Sequence, residues 1–158
     1  MPCIVLYEPE IPPNTGSIAR LCAATRIPLH LIEPLGFKLE DKYLKRAGLD
    51  YWPHVNLSVW PDFSAFAKAN AHLRFVATTS QHRGHGAVPY HKFAYQENDA
   101  LLFGAESKGL PESFLTDPTQ CIAIPIFGEV RSLNLANAAS IILYESLRQL
   151  GTLNSHIG

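Results

Sequence analysis

The sequence predicts an α/β fold in which a mostly parallel sheet carries helices on both faces. Its 158 residues are 47% hydrophobic, which is enough for the core of one domain, so we expect residues 1–158 to form a single domain. Short apolar segments typical of strands alternate along the chain with segments typical of helices. That alternation indicates a parallel sheet whose strands are connected by helices.

Six apolar runs predict the strands, and they lie at residues 4–7, 29–32, 55–60, 75–78, 100–103 and 122–124. Four helices are predicted between them, at residues 15–25, 41–47, 63–70 and 111–115. Asn14 and Asp62 stand where N-caps are expected, and Pro111 can occupy a first helical turn.

A last helix is predicted over residues 135–150, and it is apolar on nearly every side. Such a helix must be covered on more than one face. We expect the second cover to be another subunit; a central position in the protein's own core is the alternative.

Net charge limits how the protein could bind nucleic acid. A formal charge of −1 argues against binding through bulk positive charge. A local basic cluster, formed by Lys38, Lys42, Lys45 and Arg46, surrounds a short predicted helix, and Arg83 lies in a glycine-rich loop. These cations form either an RNA contact or an ordinary solvated face.

Neither a membrane segment nor a metal site is expected. The N-terminus lacks a signal-peptide pattern, and no stretch has the length of a membrane span. Three cysteines without a C-x-x-C spacing predict neither a disulfide framework nor a zinc site, and His82 and His85 lack an obvious third ligand. We therefore expect a reduced, cytoplasmic protein.

Three loops follow predicted strands and lead into predicted helices; in chain order they lie within residues 7–20, 103–111 and 125–134. Ligands of open α/β sheets collect at such ends. In the first loop, Pro12 and Pro13 stiffen the chain and Gly16 allows close contact. Arg20, in the helix that follows, is a candidate for binding phosphate or ribose. An exposed or ion-paired arginine is the alternative.

The second loop has two glycines, Gly104 and Gly109, at the spacing of a phosphate-binding P-loop. Leu110 and Pro111 follow them instead of the required Lys and Ser or Thr, so the P-loop is excluded. A dinucleotide fingerprint and a serine-hydrolase elbow are also missing, which disfavours a Rossmann-like nucleotide-binding protein. What remains is a glycine-bounded turn carrying Glu106, whose carboxylate can accept hydrogen bonds.

Residues 14–16 with Arg20, residues 103–111, and residues 124–125 with 132–138 resemble the three ordered motifs of the SPOUT superfamily of RNA methyltransferases. The resemblance covers essentially the whole chain. Its small size and the opening residues 4–16 are similar to the minimal members, which methylate the ribose 2′-hydroxyl of the wobble nucleotide, cytidine or uridine 34, in tRNA.

The resemblance implies a C-terminal trefoil knot, a homodimer packed through the knot region, and a tRNA anticodon stem-loop as partner. It also implies S-adenosylmethionine as cofactor, bound by Ala77, Thr78, Gly104, Ile124, Ile126, Ser132 and Leu133.

Arg20 and Asn134 are the catalytic residues that the resemblance implies. Proposals for the family make the arginine a base, but a guanidinium stays protonated in proteins. Holding the substrate phosphate or the developing alkoxide is an equally physical role, with Asn134 and Ser132 orienting the nucleophile. Arg20 must then reach the pocket from its own chain or from a partner.

Two alternatives stay open. One is a knotted module that binds S-adenosylmethionine or RNA without transferase activity, which the near-neutral charge favours. The other is a 2′-O-methyltransferase acting at a different RNA position.

Overall fold

The computed structural model describes residues 1–81, 83 and 86–156, and in this part of the chain seven strands form one sheet. Every strand pairing in it is parallel, which confirms the predicted sheet. The spatial order is β3-β2-β1-β6-β4-β7-β5. The strands are β1 (Cys3–Tyr7), β2 (Leu29–Ile32), β3 (Leu57–Trp60), β4 (Arg74–Thr78), β5 (Val88–Pro89), β6 (Asp99–Phe103) and β7 (Cys121–Ala123).

Four α-helices connect or follow these strands in the described residues: α1 (Pro12–Thr25), α2 (Lys42–Gly48), α3 (Phe63–Ala69) and α4 (Leu135–Gln149). Short 3₁₀ helices lie at Leu49–His54, Glu112–Leu115, Pro118–Gln120 and Thr152–His156.

Helices cover both faces of the sheet, as predicted. Side chains of a strand point alternately to its two faces. In β1, Ile4 and Leu6 join a core that includes residues of α1 and α4, whereas Val5 joins a second core built around Phe66 of α3. The two cores hold the helices in place, and the loops at the strand ends are therefore anchored from both sides.

The first helix begins earlier than predicted, at Pro12 instead of residue 15. Pro12 and Pro13 occupy its first positions, where a backbone N–H has no helical acceptor and its loss costs nothing. Ile11 is the N-cap residue and its side chain makes no cap hydrogen bond, so the prediction of Asn14 as N-cap is wrong. The predicted cap of α3 is confirmed, because the Asp62 carboxylate accepts a hydrogen bond from the Ala65 backbone N–H at 2.8 Å.

Other differences are small and concern element ends. The predicted strand at residues 55–60 begins at Leu57, and residues 111–115 form a 3₁₀ helix after Pro111 instead of an α-helix. The strand β5 was not predicted, because two residues, one of them a proline, are too short to show a pattern.

The helix α4 leaves one stripe of its surface exposed, formed by Asn137, Ile141, Tyr144 and Arg148. Ile141 is 36% exposed and Tyr144 is 45% exposed, although both are large and apolar. The opposite side, with Ile142 and Leu143, is buried in the core. That a second subunit covers this stripe remains a prediction.

Candidate functional site

A cavity of about 920 Å³ opens at the carboxyl edge of the sheet, where the loops after β1, β4, β6 and β7 meet. Its volume lies within the range of about 300–1,000 Å³ that is usual for ligand and cofactor pockets. Seven of the nine predicted site residues line it: Thr78, Gly104, Ile124, Ile126, Ser132, Leu133 and Asn134.

The other two predicted site residues do not line the cavity. Ala77 is buried in β4, directly before Thr78, and is 3% exposed. Arg20 is exposed on α1, and its guanidinium carbon lies 4.8 Å from the centroid of the Tyr51 ring. The catalytic role predicted for Arg20 therefore needs a contribution from a second chain or a movement of α1.

Backbone contacts explain both glycines of the loop after β6. A Cβ atom on Gly104 would lie 2.1 Å from the backbone of Gly109 and from that of Leu110. Gly109 has a φ of +67°, and its N–H donates to the Ala105 carbonyl at 2.7 Å. The glycines therefore close a tight turn, which agrees with the exclusion of a P-loop.

Glu106 joins this turn to the loop after β1. Its carboxylate accepts hydrogen bonds from the backbone N–H groups of Glu10, at 3.0 Å, and Ile11, at 2.6 Å. The Asn14 side-chain amide donates a third, at 3.4 Å. Ile11 is the N-cap residue of α1 and Glu10 precedes it, so Glu106 holds the backbone that enters α1 from another loop.

Glu10 makes the reciprocal contact. Its carboxylate accepts hydrogen bonds from the Ser107 backbone N–H at 2.9 Å and from the Ser107 hydroxyl at 2.7 Å. These two bonds lower the pKa of Glu10, because they favour its charged form. Two carboxylates, each bound to the other loop's backbone, hold the first and second loops together.

Asn134 joins the third loop to the first turn of α1. Its side-chain oxygen accepts hydrogen bonds from the backbone N–H groups of Ala136 and Asn137, at 2.9 and 3.2 Å, and so caps α4. Its side-chain nitrogen donates to the Asn14 side-chain oxygen at 3.0 Å. One side chain therefore caps α4 and connects it to the first turn of α1, 120 residues away in the chain.

Two side chains tie down the loop after β4. The Gln81 amide exchanges a pair of hydrogen bonds with the backbone of Ile126, at 2.8 and 3.1 Å. Arg83 donates to the carbonyls of Lys108 and Leu110, both at 2.9 Å, and forms an ion pair with Glu112 at 2.8 Å. This loop is thereby connected to the second and the third loops.

Sequence reasoning missed three lining residues of this loop, Thr79, Ser80 and Arg83. Thr79 and Ser80 directly follow the carboxyl end of β4, and that position alone was a usable signal. Arg83 carried no such signal, since its acceptors are backbone carbonyls 25 and 27 residues further along the chain.

The lining combines apolar side chains with polar and charged groups. Ile124, Ile126 and Leu133 are apolar, whereas Lys108 and Arg131 place exposed cations in the lining. Such a site suits a ligand with a flat apolar ring and polar ends, beside a phosphate-bearing partner.

Potential metal ligands do not form a cluster in the described residues, and the cysteine thiols there have raised pKa values. No cluster of three or more potential metal ligands occurs in them, and the predicted His82–His85 spacing lies outside them. Burial raises the pKa values of the Cys3 and Cys22 thiols to about 12, so both stay protonated at neutral pH. None of the described helices has the length and apolar character needed to cross a membrane.

Comparison with known proteins connects this site to a family. The SpoU rRNA Methylase family matches residues 1–144. A tRNA (cytidine(34)-2′-O)-methyltransferase of Aeromonas hydrophila is 51% identical over 155 residues, covering 96% of both chains.

Two solved structures have the same fold. One, described as "Structural insights into the 2-OH methylation of C/U34 on tRNA", has a TM-score of 0.88 and 48% identity, and covers 96% of this chain and 97% of its own. The other is the SpoU methyltransferase AviRb of Streptomyces viridochromogenes in complex with AdoMet. It has a TM-score of 0.81 and 26% identity, and the match covers 96% of this chain and 61% of that one. The chain therefore belongs to the SpoU rRNA Methylase family and is an enzyme of the methyltransferase class.

Proposed function

We propose that this protein transfers a methyl group from S-adenosylmethionine to the ribose 2′-hydroxyl of nucleotide 34, cytidine or uridine, in tRNA. The observation that carries the proposal is the meeting of all three motif loops at one cavity, joined by Glu106, Asn14 and Asn134. The choice of substrate is supported by two relatives that match nearly the whole chain: one is named for cytidine 34 of tRNA, and the other is described for methylation of C/U34 on tRNA.

The cavity lining fits the cofactor. Ile124, Ile126 and Leu133 provide an apolar surface for its purine ring, while Thr78 and Ser132 provide hydroxyl groups beside loop backbone. Gly104 lets the second loop close its tight turn beside the cavity, and Ala77 directly precedes Thr78 in β4. S-adenosylmethionine would supply the methyl group on its sulfonium; binding and orientation are the work of these residues.

The position of Arg20 outside its own cavity supports a homodimer. The exposed apolar pair Ile141 and Tyr144 on α4 offers a contact surface, and α1 packs beside α4. Leu135 and Ala138 at the start of α4 line the cavity. A second copy packed against α4 would therefore bring its own α1 close to this cavity. We assign the catalytic guanidinium to Arg20 of the partner subunit.

Positioning then accounts for much of the catalysis. Arg20 holds the substrate phosphate or the developing alkoxide with its N–H donors, since a guanidinium is a poor proton acceptor. Asn134 and Ser132 orient the ribose hydroxyl. Alignment of the reacting groups can contribute about 7–11 kcal/mol to lowering the barrier.

A trefoil knot at the C-terminal end is part of the proposal. The strands β4 and β5 are consecutive in the chain, but β7 lies between them in the sheet. The segments before and after β7 must therefore run past the segment that connects β4 to β5. We regard the chain as one knotted domain, acting in the cytoplasm where its tRNA substrate is found.

The test uses the intact protein, methyl-labelled S-adenosylmethionine and tRNA that lacks the modification at nucleotide 34. Wild type is expected to label the 2′-oxygen of that nucleotide. Arg20→Ala should lose methylation but retain cofactor binding, measured by calorimetry. Label on a base, or no label at all, would contradict the proposal.

A second candidate is a module that binds cofactor and RNA without turnover. Its support is the near-neutral charge and the absence of Arg20 from its own cavity. Cofactor and tRNA binding by wild type with no product would favour this candidate. Label at a different nucleotide would instead indicate a 2′-O-methyltransferase with another RNA target.

A further inference from the structure

A surface rich in cations and aromatic rings lies on α2 and the 3₁₀ helix that follows it. Leu44 is buried, at 1% exposure, while Lys42, Tyr43, Lys45 and Arg46 of α2 are exposed. We call these four exposed residues and Tyr51 the basic–aromatic surface. Three of its five members are cations, although the whole chain has a net charge of −1.

Two cation–ring contacts organise this surface. The guanidinium of Arg20 lies over the Tyr51 ring, and the Lys42 ammonium lies 5.1 Å from the centroid of the Tyr43 ring. Both rings remain open to solvent, with Tyr43 51% exposed and Tyr51 38% exposed. An exposed aromatic ring beside a cation is suited to stacking with a further flat group.

Among the side chains that the structure describes, which do not include those of residues 48–50, no carboxylate pairs with these cations. Ion pairs there involve Arg74, Arg83, Arg148 and the N-terminus, whereas Arg20 and the cations of α2 form none. Their charge is therefore available to an anionic partner. A partner that supplies both anions and flat rings matches this surface better than an acidic protein does.

The helix that carries the surface is held firmly. The Asp41 carboxylate accepts hydrogen bonds from the backbone N–H groups of Tyr43, at 2.7 Å, and Leu44, at 3.2 Å, and so caps α2. Leu44 anchors the same turn in the protein interior. The exposed side chains consequently project from a fixed backbone, which reduces the entropy lost on binding.

We propose that the basic–aromatic surface binds single-stranded nucleotides of the tRNA loop next to the target ribose, with bases stacked on Tyr43 and Tyr51 and phosphates held by Lys42 and Arg46. Unstacked loop bases are bound on aromatic rings and their phosphates by cations. The inference rests on the proposed function, because Arg20, which contacts Tyr51, is the residue assigned to the reacting nucleotide.

Direct binding measurements test the surface independently of turnover. Dissociation constants for tRNA would be measured for wild type, Tyr43→Ala, Tyr43→Phe and the double variant Lys42→Ala/Arg46→Ala, over a range of salt concentrations. The matched control is Lys68→Ala/Lys92→Ala, which removes two exposed cations outside the surface. Calorimetry with S-adenosylmethionine and thermal unfolding check that each variant is folded.

Tyr43→Ala should weaken tRNA binding at least about fivefold, because one stacked base is lost, and Tyr43→Phe should restore it. The double variant should weaken binding and reduce the slope of log K against log salt by about 1.4, or about 0.7 per phosphate contact. The affinity for S-adenosylmethionine should not change in Tyr43→Ala or in the double variant. The control should bind tRNA as wild type does.

Variants of the surface that bind tRNA like the control would overturn the inference, even if wild type methylates nucleotide 34. Elution of Tyr43→Ala as a monomer where wild type is a dimer would also overturn it, since the surface would then lie between copies. Absence of methylation by wild type, with tRNA binding still sensitive to these variants, would defeat the proposed function but leave the surface supported.

Discussion

The side-chain nitrogen of Asn134 donates a hydrogen bond to the side-chain oxygen of Asn14 at 3.0 Å, joining the N-cap of α4 to the first turn of α1. The other side-chain atom of Asn134, its oxygen, caps α4. The two functions use different atoms of one amide, so substitutions can separate them.

Asn134→Asp should retain the cap, because a carboxylate is a good N-cap acceptor, but it loses the donor and places an anion against the Asn14 oxygen. We expect near-wild-type unfolding and a loss of methylation of at least about tenfold. Asn134→Ala should lower the free energy of unfolding by about 1 kcal/mol as well. Methylation by Asn134→Asp at the wild-type rate would show that the link to Asn14 is dispensable.

Glu106→Gln keeps one carbonyl oxygen but replaces the other acceptor with a donor that faces backbone N–H groups. The Glu106 carboxylate accepts from Glu10, Ile11 and Asn14, and hydrogen bonds to a charged group contribute about 1.5–3 kcal/mol. Because these groups are partly open to solvent, we expect a loss of about 1–2 kcal/mol of unfolding free energy in urea titrations. The control is Glu40→Gln, an exposed carboxylate elsewhere. Equal losses in the two variants would contradict the role of Glu106 in holding the backbone that enters α1.

Gly104→Ala tests whether the tight turn shapes the cofactor site. The added methyl group would meet backbone of Gly109 and Leu110 at 2.1 Å, and backbone cannot move aside like a flexible side chain. We expect S-adenosylmethionine affinity, measured by calorimetry, to fall at least about tenfold. Gly128→Ala is the matched control, because nothing lies within 4 Å of its added Cβ. Unchanged affinity in Gly104→Ala would mean that the turn does not form part of the site.

His30 makes stability depend on pH. Burial lowers the pKa of His30 below its ordinary value of 6.5, and its Nδ1 accepts a hydrogen bond from the Trp60 indole at 3.0 Å. At pH values between the pKa of His30 in the folded protein and its pKa in the unfolded chain, the unfolded state binds more protons. The free energy of unfolding therefore falls as the pH falls below about 6.5, and it levels off below the pKa of His30 in the folded protein.

His30→Asn keeps an acceptor near the same place but cannot be protonated. We expect the difference in unfolding free energy between about pH 7.5 and about pH 5.5 to be smaller in this variant than in wild type. Urea denaturation at the two pH values measures it. The same difference in both proteins would show that His30 does not cause the pH dependence.

The order of the elements was readable from the sequence, because buried parallel strands are short apolar runs and caps have characteristic residues. Asp62 capped α3 as predicted, and the runs at residues 4–7 and 29–32 became β1 and β2. Asn14 was misassigned because proline at N1 and N2 shifted the helix start, a local effect that the cap pattern alone could not reveal.

Residue types and motifs thus determined the sheet, the helices on both faces and the loops that line the cavity. Tertiary structure alone decided that Glu106 holds the backbone entering α1, that Arg83 holds carbonyls of the second loop, and that Arg20 lies over Tyr51 outside its own cavity. The physical reason is sequence separation: local periodicity and caps act within a few residues, whereas these contacts join groups that only the packing of the sheet brings together.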